Sequence, residues 1–198
     1  HFLYNTLNSM RVLIRTNAEA ADKLLYNFSR FLRNNMVSIN HTGMIPFSKE
    51  LEMIRSYAYI EEVCFPKINI QFDIQVQNFS VPPLSIQPLV ENALYHGIKN
   101  KRGGGCIVLR GYEDRNGLVF EVEDDGIGMD EAELAAVRAK LTLEPEEELA
   151  PIGSGGFGLH NVAQRIQMYY GDQAEILVES EKNIGTCFKV YLGNQKKS

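Results

Sequence analysis

Three polar side chains lie about one turn apart on a stretch of the sequence that is helical in period. Asn92, His96 and Lys99 share one flank of residues 85–99, SIQPLVENALYHGIK. An amide oxygen, an imidazole and an ammonium group at this spacing can contact a magnesium-bound triphosphate, because Mg²⁺ accepts neutral oxygens and keeps phosphates and waters as its other ligands. The pattern is equally typical of a solvated helix flank, so other parts of the sequence must distinguish the two interpretations.

Two glycine-containing stretches also fit a nucleotide site. In DDGIGM (124–129) a carboxylate can accept a hydrogen bond from an adenine amino group, and the glycines let a flat base approach the backbone. GSGGFGLHN (153–161) leads into a helix whose first amides can face an anion. The alternatives are an ordinary Asp-Gly turn and a flexible linker with a helix cap. The sequence contains no G-x-x-x-x-G-K-[ST], which excludes a P-loop.

A histidine at the start of the chain could act as a nucleophile. His1 lies on the same helical face as Asn5 and Asn8, opposite an apolar seam, so its imidazole is expected in water. A neutral imidazole, with a pKa of about 6.5, attacks phosphorus centres near neutral pH. The alternative is an incidental surface histidine.

Two amphipathic helices are predicted before Pro66. Residues 1 to about 34 carry a heptad seam with a polar interruption at Asn17, and Ser48 begins a second helix that Pro66 ends. Their apolar faces predict a helical hairpin that dimerises into a four-helix bundle. We therefore expect a helical domain over residues 1–65 and a second domain over residues 66–198.

The second domain is predicted to be an α+β sandwich. Residues 68–76 alternate apolar and polar side chains as a half-buried strand does. The helix over 85–99 follows, and a turn at Asn116-Gly117 predicts an antiparallel hairpin. The remaining predicted elements are strands over 106–112, 118–124, 175–180 and 186–192 and helices over 130–141 and 158–170. This order favours a mixed sheet covered by helices on one face.

The composition limits the classes of function. The chain has 198 residues, 44% of them hydrophobic, and a net charge of −5, so it can fold around a core but has no basic stripe for nucleic acid. Three scattered cysteines fit free thiols in a reducing compartment. No apolar run reaches the roughly 20 residues that span a bilayer. The first residue is His, so we expect a piece of a longer protein, with any membrane anchor upstream.

Four stretches in order resemble the motifs of bacterial sensor histidine kinases of the LytS/YesM type. HFLYNTLNSM resembles the phosphoacceptor box, PLVENALYHGIKN the N box, DDGIGM the first glycine box and GGFGLHNVAQRI the second. The resemblance covers nearly the whole chain. It implies the Bergerat ATP-binding sandwich that gyrase and Hsp90-like ATPases share.

The resemblance also implies roles for individual residues. His1 would receive the γ-phosphoryl group of ATP, Asn92 would hold Mg²⁺ and Asp124 would bind adenine. The residues that would shape the rest of the nucleotide pocket and its lid are Gly126, Gly128, Gly156, Gly158, Leu159 and Thr186. His96 would lie near the phosphates.

The proton acceptor for His1 is not assigned by the resemblance. Many other histidine kinases have an acid directly after the phosphoacceptor, whereas this chain has Phe2. Glu91 is the nearest acidic candidate in the N box, and Asn5 is the polar neighbour of His1 on its helix.

The expected protein is thus an ATP- and Mg²⁺-dependent kinase core that passes a phosphoryl group from His1 to an aspartate of a response regulator. It should be a homodimer and the cytoplasmic part of a membrane sensor whose sensor and membrane segments lie upstream. The alternatives are a serine kinase of the anti-sigma-factor kind and a nucleotide-binding regulatory module that transfers no phosphate.

Overall fold

Three helices open the chain in the computed structural model, which describes residues 1–39, 43–115, 117–141 and 158–193, apart from the side chains of 37–39. They are α1 (Phe2–Thr16), α2 (Ala18–Ile39) and α3 (Phe47–Cys64). The ring centroids of Phe2 and Phe31 lie 5.0 Å apart, so α1 folds back on α2. The prediction of one helix over residues 1 to about 34 is therefore wrong.

Asn17 is the reason for the break between α1 and α2. Its backbone is extended, with φ −157° and ψ 89°, and its side-chain oxygen accepts a hydrogen bond from the Ala20 N–H at 3.1 Å. This is the geometry of a helix N-cap. The polar residue in the predicted seam thus ends one helix and begins the next.

Helix α3 is buried on nearly all sides. Near its middle, the Tyr57 ring packs against Phe2 of α1, with centroids 5.6 Å apart. At its start, Phe47 is fully buried and packs against Phe79 and Phe120, at 4.7 and 4.9 Å. Helix α3 therefore joins the N-terminal helices to the layer that follows.

One continuous hydrophobic cluster crosses the predicted domain boundary between residues 65 and 66. The division into residues 1–65 and 66–198 remains a prediction, with α3 contributing to the core on both sides of that boundary.

The second half of the chain is built on a mixed five-stranded sheet, as predicted. Its strand order is β2 (Ile68–Ile74), β4 (Gly105–Asp114), β5 (Gly117–Asp124), β7 (Gly185–Gly193) and β6 (Ala174–Glu181). Strands β2 and β4 are parallel, and the other neighbours are antiparallel. A short ladder pairs β1 (Ile45–Pro46) with β3 (Ser80–Val81). Asn116 of the predicted hairpin turn lies outside the described residues.

Helices cover one face of this sheet. They are α4 (Gln87–Asn92), a π-helical turn (Ala93–Ile98), α5 (Glu131–Leu141), α6 (Gly158–Tyr170) and a 3₁₀ turn (Gly171–Gln173). Along β5, Phe120 and Val122 point into the buried layer, whereas Glu121 and Glu123 point to the open face. Among the described residues, no helix is long and apolar enough to cross a membrane.

The helix predicted over residues 85–99 is shorter and changes its winding. It begins at Gln87, and residues 93–98 form a π turn, in which hydrogen bonds reach five residues back, as from the Lys99 N–H to the Leu94 carbonyl at 2.8 Å. Its predicted apolar face is buried throughout. A π turn rotates the side chains after it relative to an α-helix, and such turns are frequent at functional sites.

We expect Phe47→Ala to lower the free energy of unfolding by about 3 to 5 kcal/mol, because the ring fills the core beneath the sheet. Urea unfolding followed by circular dichroism measures the change. Met168→Ala on α6 is the control, since that side chain is 76% exposed. Equal stability of Phe47→Ala and wild type would show that the start of α3 does not belong to this core.

Candidate functional site

Asp124 is a buried carboxylate at the end of β5. Only 3% of the residue is exposed, and its Oδ1 accepts a hydrogen bond from the Gly126 N–H at 2.8 Å. Its Oδ2 is buried and has no hydrogen-bond partner among the described residues. Burial raises the pKa of Asp124 to about 6. A buried acceptor without a partner is costly in the free protein and suits a ligand that donates a hydrogen bond.

Two glycines make room for this carboxylate. A Cβ atom on Gly97, in the π turn, would lie 2.8 Å from the Asp124 Cγ and closer still to Oδ1. A Cβ on Gly126 would lie 2.5 Å from Asp124 Oδ1 and from the backbone of Gly97. Gly97 was predicted only as part of an apolar face. The sequence signal that Gly97 also makes room for Asp124 is its position inside a helix. A glycine there lowers helix stability, so it is expected where another group packs against the backbone.

The loop after Asp124 is fixed to the hairpin of β6 and β7. Gly128 has a φ of +59°, and a Cβ there would strike the Glu181 backbone. The Ser180 hydroxyl accepts a hydrogen bond from the Met129 N–H at 2.9 Å and lies 2.9 Å from the Thr186 hydroxyl. The structure therefore brings Thr186 beside Asp124, its register partner. Nothing in the sequence pattern singled out Ser180.

Asn92 is the last residue of α4, at the point where the winding changes. The residue is half-buried, and no hydrogen bond joins its amide to another described residue. His96 lies in the π turn with its side chain exposed. An amide oxygen without a partner among the described residues, four residues before an exposed imidazole, is a donor set that suits a hard cation and its anionic ligand.

Lys99 does not share this flank, so its prediction is corrected. Its Nζ lies 3.0 Å from an oxygen of the buried Glu61 in α3 and 4.3 and 3.9 Å from the ring centroids of Phe65 and Tyr95. The π turn and the buried acid together direct the ammonium group towards α3. Glu61 therefore occupies the ammonium group of Lys99, which was predicted to contact the phosphates.

Glu91 is half-buried on α4. Its Oε1 accepts a hydrogen bond from Gln87 Nε2 at 2.8 Å, and burial raises its pKa. Burial and the carboxylates of Glu61 and Glu91 also raise the pKa of Tyr57, against which Phe2 packs. The charge of Glu91 therefore acts on the tyrosine that packs against the residue after His1.

His1 precedes α1 and is exposed. Its Nδ1 lies 3.0 Å from the amide nitrogen of Asn5, one helical turn later. This contact orients the ring and leaves Nε2 without a partner among the described residues.

The second glycine run is described only in part. Gly158 is the exposed first residue of α6, and a Cβ there would meet no atom within 4 Å, so packing does not require glycine. Leu159 is 9% exposed and belongs to the core. Gly156 and the predicted lid loop before it lie outside the described residues.

Two family models match the chain. The model described as "Histidine kinase" matches residues 1–68, and the model described as "Histidine kinase-, DNA gyrase B-, and HSP90-like ATPase" matches residues 82–196.

Curated relatives resemble nearly the whole chain. The sensor histidine kinase YpdA of Escherichia coli is 34% identical, over 99% of this chain and 33% of that protein. The sensor protein LytS of Staphylococcus saprophyticus is 32% identical, over 91% of this chain and 30% of that protein. The chain spans about a third of the length of these relatives.

Solved structures share the fold. The histidine kinase domain of a blue-light activated histidine kinase from Erythrobacter litoralis has a TM-score of 0.54 at 19% identity, covering 92% of this chain and 83% of that one. The mycobacterial sensor histidine kinase MprB has a TM-score of 0.54 at 16% identity, covering 77% of this chain and 97% of that one.

We expect Asp124→Asn to remove a pH-dependent cost to folding. The pKa of this carboxyl rises from 3.8 to about 6 on folding, so between these values the native state binds more protons than the unfolded state. The free energy of unfolding of wild type should therefore fall as pH rises from about 4 to 6, by about 3 kcal/mol relative to the variant. Urea unfolding at several pH values measures this difference.

Asp73→Asn on the outer face of β2 is the control for an aspartate-to-asparagine change at an exposed position. Stability curves of wild type and Asp124→Asn that stay parallel across this pH range would contradict the assignment of a buried, destabilised carboxylate.

Proposed function

Because this chain belongs to the family of histidine kinases with a DNA gyrase B- and HSP90-like ATPase module, we propose that it acts as the ATP-dependent kinase core of a two-component sensor. The observation that carries this proposal is the buried Asp124, with one oxygen free and two glycines closing on it. In this proposal residues 1–65 supply the phosphoacceptor and residues 66–198 bind ATP, with α3 shared between them.

Adenine recognition is assigned to Asp124. Its free Oδ2 would accept a hydrogen bond from the exocyclic amino group of adenine, and a guanine carbonyl at the same place would be repelled. Gly126 and Gly128 would shape the loop beside the base, with Thr186 beneath it. Three further residues, Gly156, Gly158 and Leu159, are proposed to form the lid and its hinge.

Magnesium is assigned to Asn92. The half-buried amide, without a partner among the described residues, suits a cation that takes its other ligands from phosphates and waters. When bound, Mg²⁺ would neutralise charge on the phosphates during transfer. His96 would lie near the phosphates.

Phosphoryl transfer is assigned to His1. A bond would form between its Nε2 and the γ-phosphorus of ATP as the bond to the β,γ-bridging oxygen breaks and ADP leaves. Attack by Nε2 requires the imidazole proton on Nδ1, so the Asn5 side-chain amide, 3.0 Å from Nδ1, would turn to present its oxygen as the acceptor and in that way orient the ring. Glu91 is proposed as the proton acceptor, since its raised pKa brings it nearer to the working pH of a general base. The phosphoryl group would then pass to an aspartate of a response regulator.

A homodimer through the N-terminal helices is part of the proposal. Large apolar side chains of α1 and α2 are exposed in the single chain: Leu3, Leu7, Val12, Ile14, Leu25, Tyr26 and Met36. A second copy would bury them, as in a helical bundle. A sensor and membrane segments upstream, with this chain on the cytoplasmic side, complete the proposed protein.

We expect His1→Gln to abolish acid-labile label after incubation with Mg²⁺ and γ-labelled ATP, because the variant has no imidazole to form the phosphoramidate. His41→Gln is the matched control and should keep the label. Acid-stable label that survives in His1→Gln would instead favour the serine kinase. Tight Mg-ATP binding with no label, in a protein that includes the natural upstream sequence, would favour the regulatory module.

We expect Asn92→Ala to weaken Mg-ATP binding about tenfold, equivalent to about 1.4 kcal/mol, through loss of one magnesium ligand. Isothermal titration calorimetry with Mg-ATP measures the change. Asn69→Ala on the open face of β2 should leave the affinity within about twofold of wild type. Unchanged affinity in the Asn92→Ala variant would indicate that Asn92 does not bind Mg²⁺ and is an ordinary solvated residue of the helix.

A further inference from the structure

Helix α3 carries two buried carboxylates on the side that faces α4. Glu50 is 0% exposed and Glu61 is 1% exposed, and they are about three helical turns apart. Buried carboxylates destabilise a fold unless hydrogen bonds or ion pairs compensate their desolvation. Both find their compensating partners at the helix that carries Asn92.

Glu50 binds the start of that helix. Its carboxylate accepts hydrogen bonds from the backbone N–H groups of Leu84, Ile86 and Gln87, at 2.9, 3.0 and 3.3 Å. Helix α4 begins at Gln87 and has no side-chain cap of its own. Glu50 therefore satisfies N–H groups that the helix cannot satisfy internally and places negative charge at its positive end.

The turn before α4 needs this support. Leu84 has a φ of +57°, which is uncommon for a residue with a side chain. On the other side of the turn, the Arg165 guanidinium of α6 donates a hydrogen bond to the Pro83 carbonyl at 2.6 Å. Such a conformation costs free energy and persists only where its surroundings hold it.

Glu61 binds the end of the same helix. The Lys99 Nζ lies 3.0 Å from its Oε2 and donates a hydrogen bond to its Oε1 at 3.3 Å. Lys99 directly follows the π turn, and the rings of Phe65 and Tyr95 cover its ammonium group. Helix α3 thus holds both ends of the segment from Gln87 to Lys99.

We propose that Glu50 and Glu61 are positioning residues for Asn92 and so set the magnesium-dependent part of nucleotide binding. Neither would touch the nucleotide. They act by fixing the two ends of a short segment whose winding changes at Asn92. Asp124 lies on β5 and its Oδ1 accepts a hydrogen bond from the Gly126 N–H of its own loop. Gly97 of the π turn packs against the carboxylate, but no described residue of the segment 87–99 donates a hydrogen bond to it, so adenine binding should depend on the two glutamates far less.

This inference rests on the proposed function, because it requires an adenine nucleotide at Asp124 and Mg²⁺ at Asn92. The probe is ADP, titrated calorimetrically into the full chain with Mg²⁺ and again with EDTA. The ratio of the two dissociation constants isolates the contribution of Mg²⁺. ADP lacks the γ-phosphoryl group that the proposed reaction transfers, so the measurement does not depend on kinase activity.

We expect the factor by which Mg²⁺ raises the affinity for ADP to be about tenfold smaller in Glu50→Gln and in Glu61→Gln than in wild type. The affinity of each variant for ADP in EDTA should stay within about twofold of wild type. Lys99→Met should resemble Glu61→Gln, because it breaks the same pair. Glu52→Gln is the matched control on α3. Its side chain is 61% exposed, its only recorded partner among the described residues is Arg30, and it should behave as wild type.

A merely structural role predicts different results. Equal loss of ADP affinity with and without Mg²⁺, or no loss in folded variants, would overturn the proposal, as would a wild type without any gain from Mg²⁺. If the Glu50→Gln variant does not give the native circular dichroism spectrum, the ADP titrations of Glu61→Gln and Lys99→Met test the proposal in its place. Loss of the fold in all three variants would also overturn it. A wild type that gains affinity from Mg²⁺ but forms no phosphohistidine contradicts the proposed function and leaves this inference standing.

Discussion

Asp124 can keep one carboxylate oxygen unpaired inside the protein only because backbone, rather than side chains, closes around it. Desolvation raises the free energy of the charged form, and the Gly126 N–H at Oδ1, the backbone of Thr186 and the charge of Lys101 offset this only in part. Gly97 and Gly126 leave no room for a Cβ, so any other residue at either position would push the carboxylate or its loop away. The π turn that contains Gly97 must therefore lie at one fixed depth on the sheet. This contact fixes the depth of the π turn, whereas Glu50 and Glu61 of α3 hold the two ends of the segment that carries Asn92.

Helix α3 provides the second constraint, because most of its side chains are buried and its exposed side is limited to the stripe with Lys49, Glu52 and Arg55. Tyr57 packs against the N-terminal helices, Phe47 packs beneath the sheet, and the two buried glutamates face α4. A helix buried in this way moves as a unit with the elements on either side. A change in the packing of α1 and α2 would consequently reach α4 through α3 without any contact between His1 and the nucleotide.

The sequence predicted most elements because their signals are local. Alternation located the strands, and the apolar face of residues 85–99 is buried as its period requires. The failures have non-local or subtle causes. In the sequence, Asn17 looks like a polar position within one continuous heptad pattern, and nothing shows that it caps a second helix. The helical period of residues 85–99 likewise does not show that hydrogen bonds after Ala93 span five residues. Lys99 was placed on the Asn92 flank because Glu61, far away in sequence, could not be known to lie beside it. Glu50 was missed for the same reason, since its partners are backbone amides on another helix.

The arrangement also indicates which step of the proposed phosphoryl transfer can be controlled. Such transfers need little covalent help from the protein once donor and acceptor are aligned, so alignment is the natural point of control. His1 is exposed, and its end of α1 is held by the Phe2 ring against Phe28, Phe31 and Tyr57. Aromatic pairs contribute roughly 0.5 to 1.5 kcal/mol each beyond their burial, so releasing this end costs a few kcal/mol. A shift of that size changes a population by factors of tens to hundreds, which helix packing in a dimer can supply. The buried contacts of α3 involve charged groups and would cost more to break, so α1 is the element that such a signal would move first.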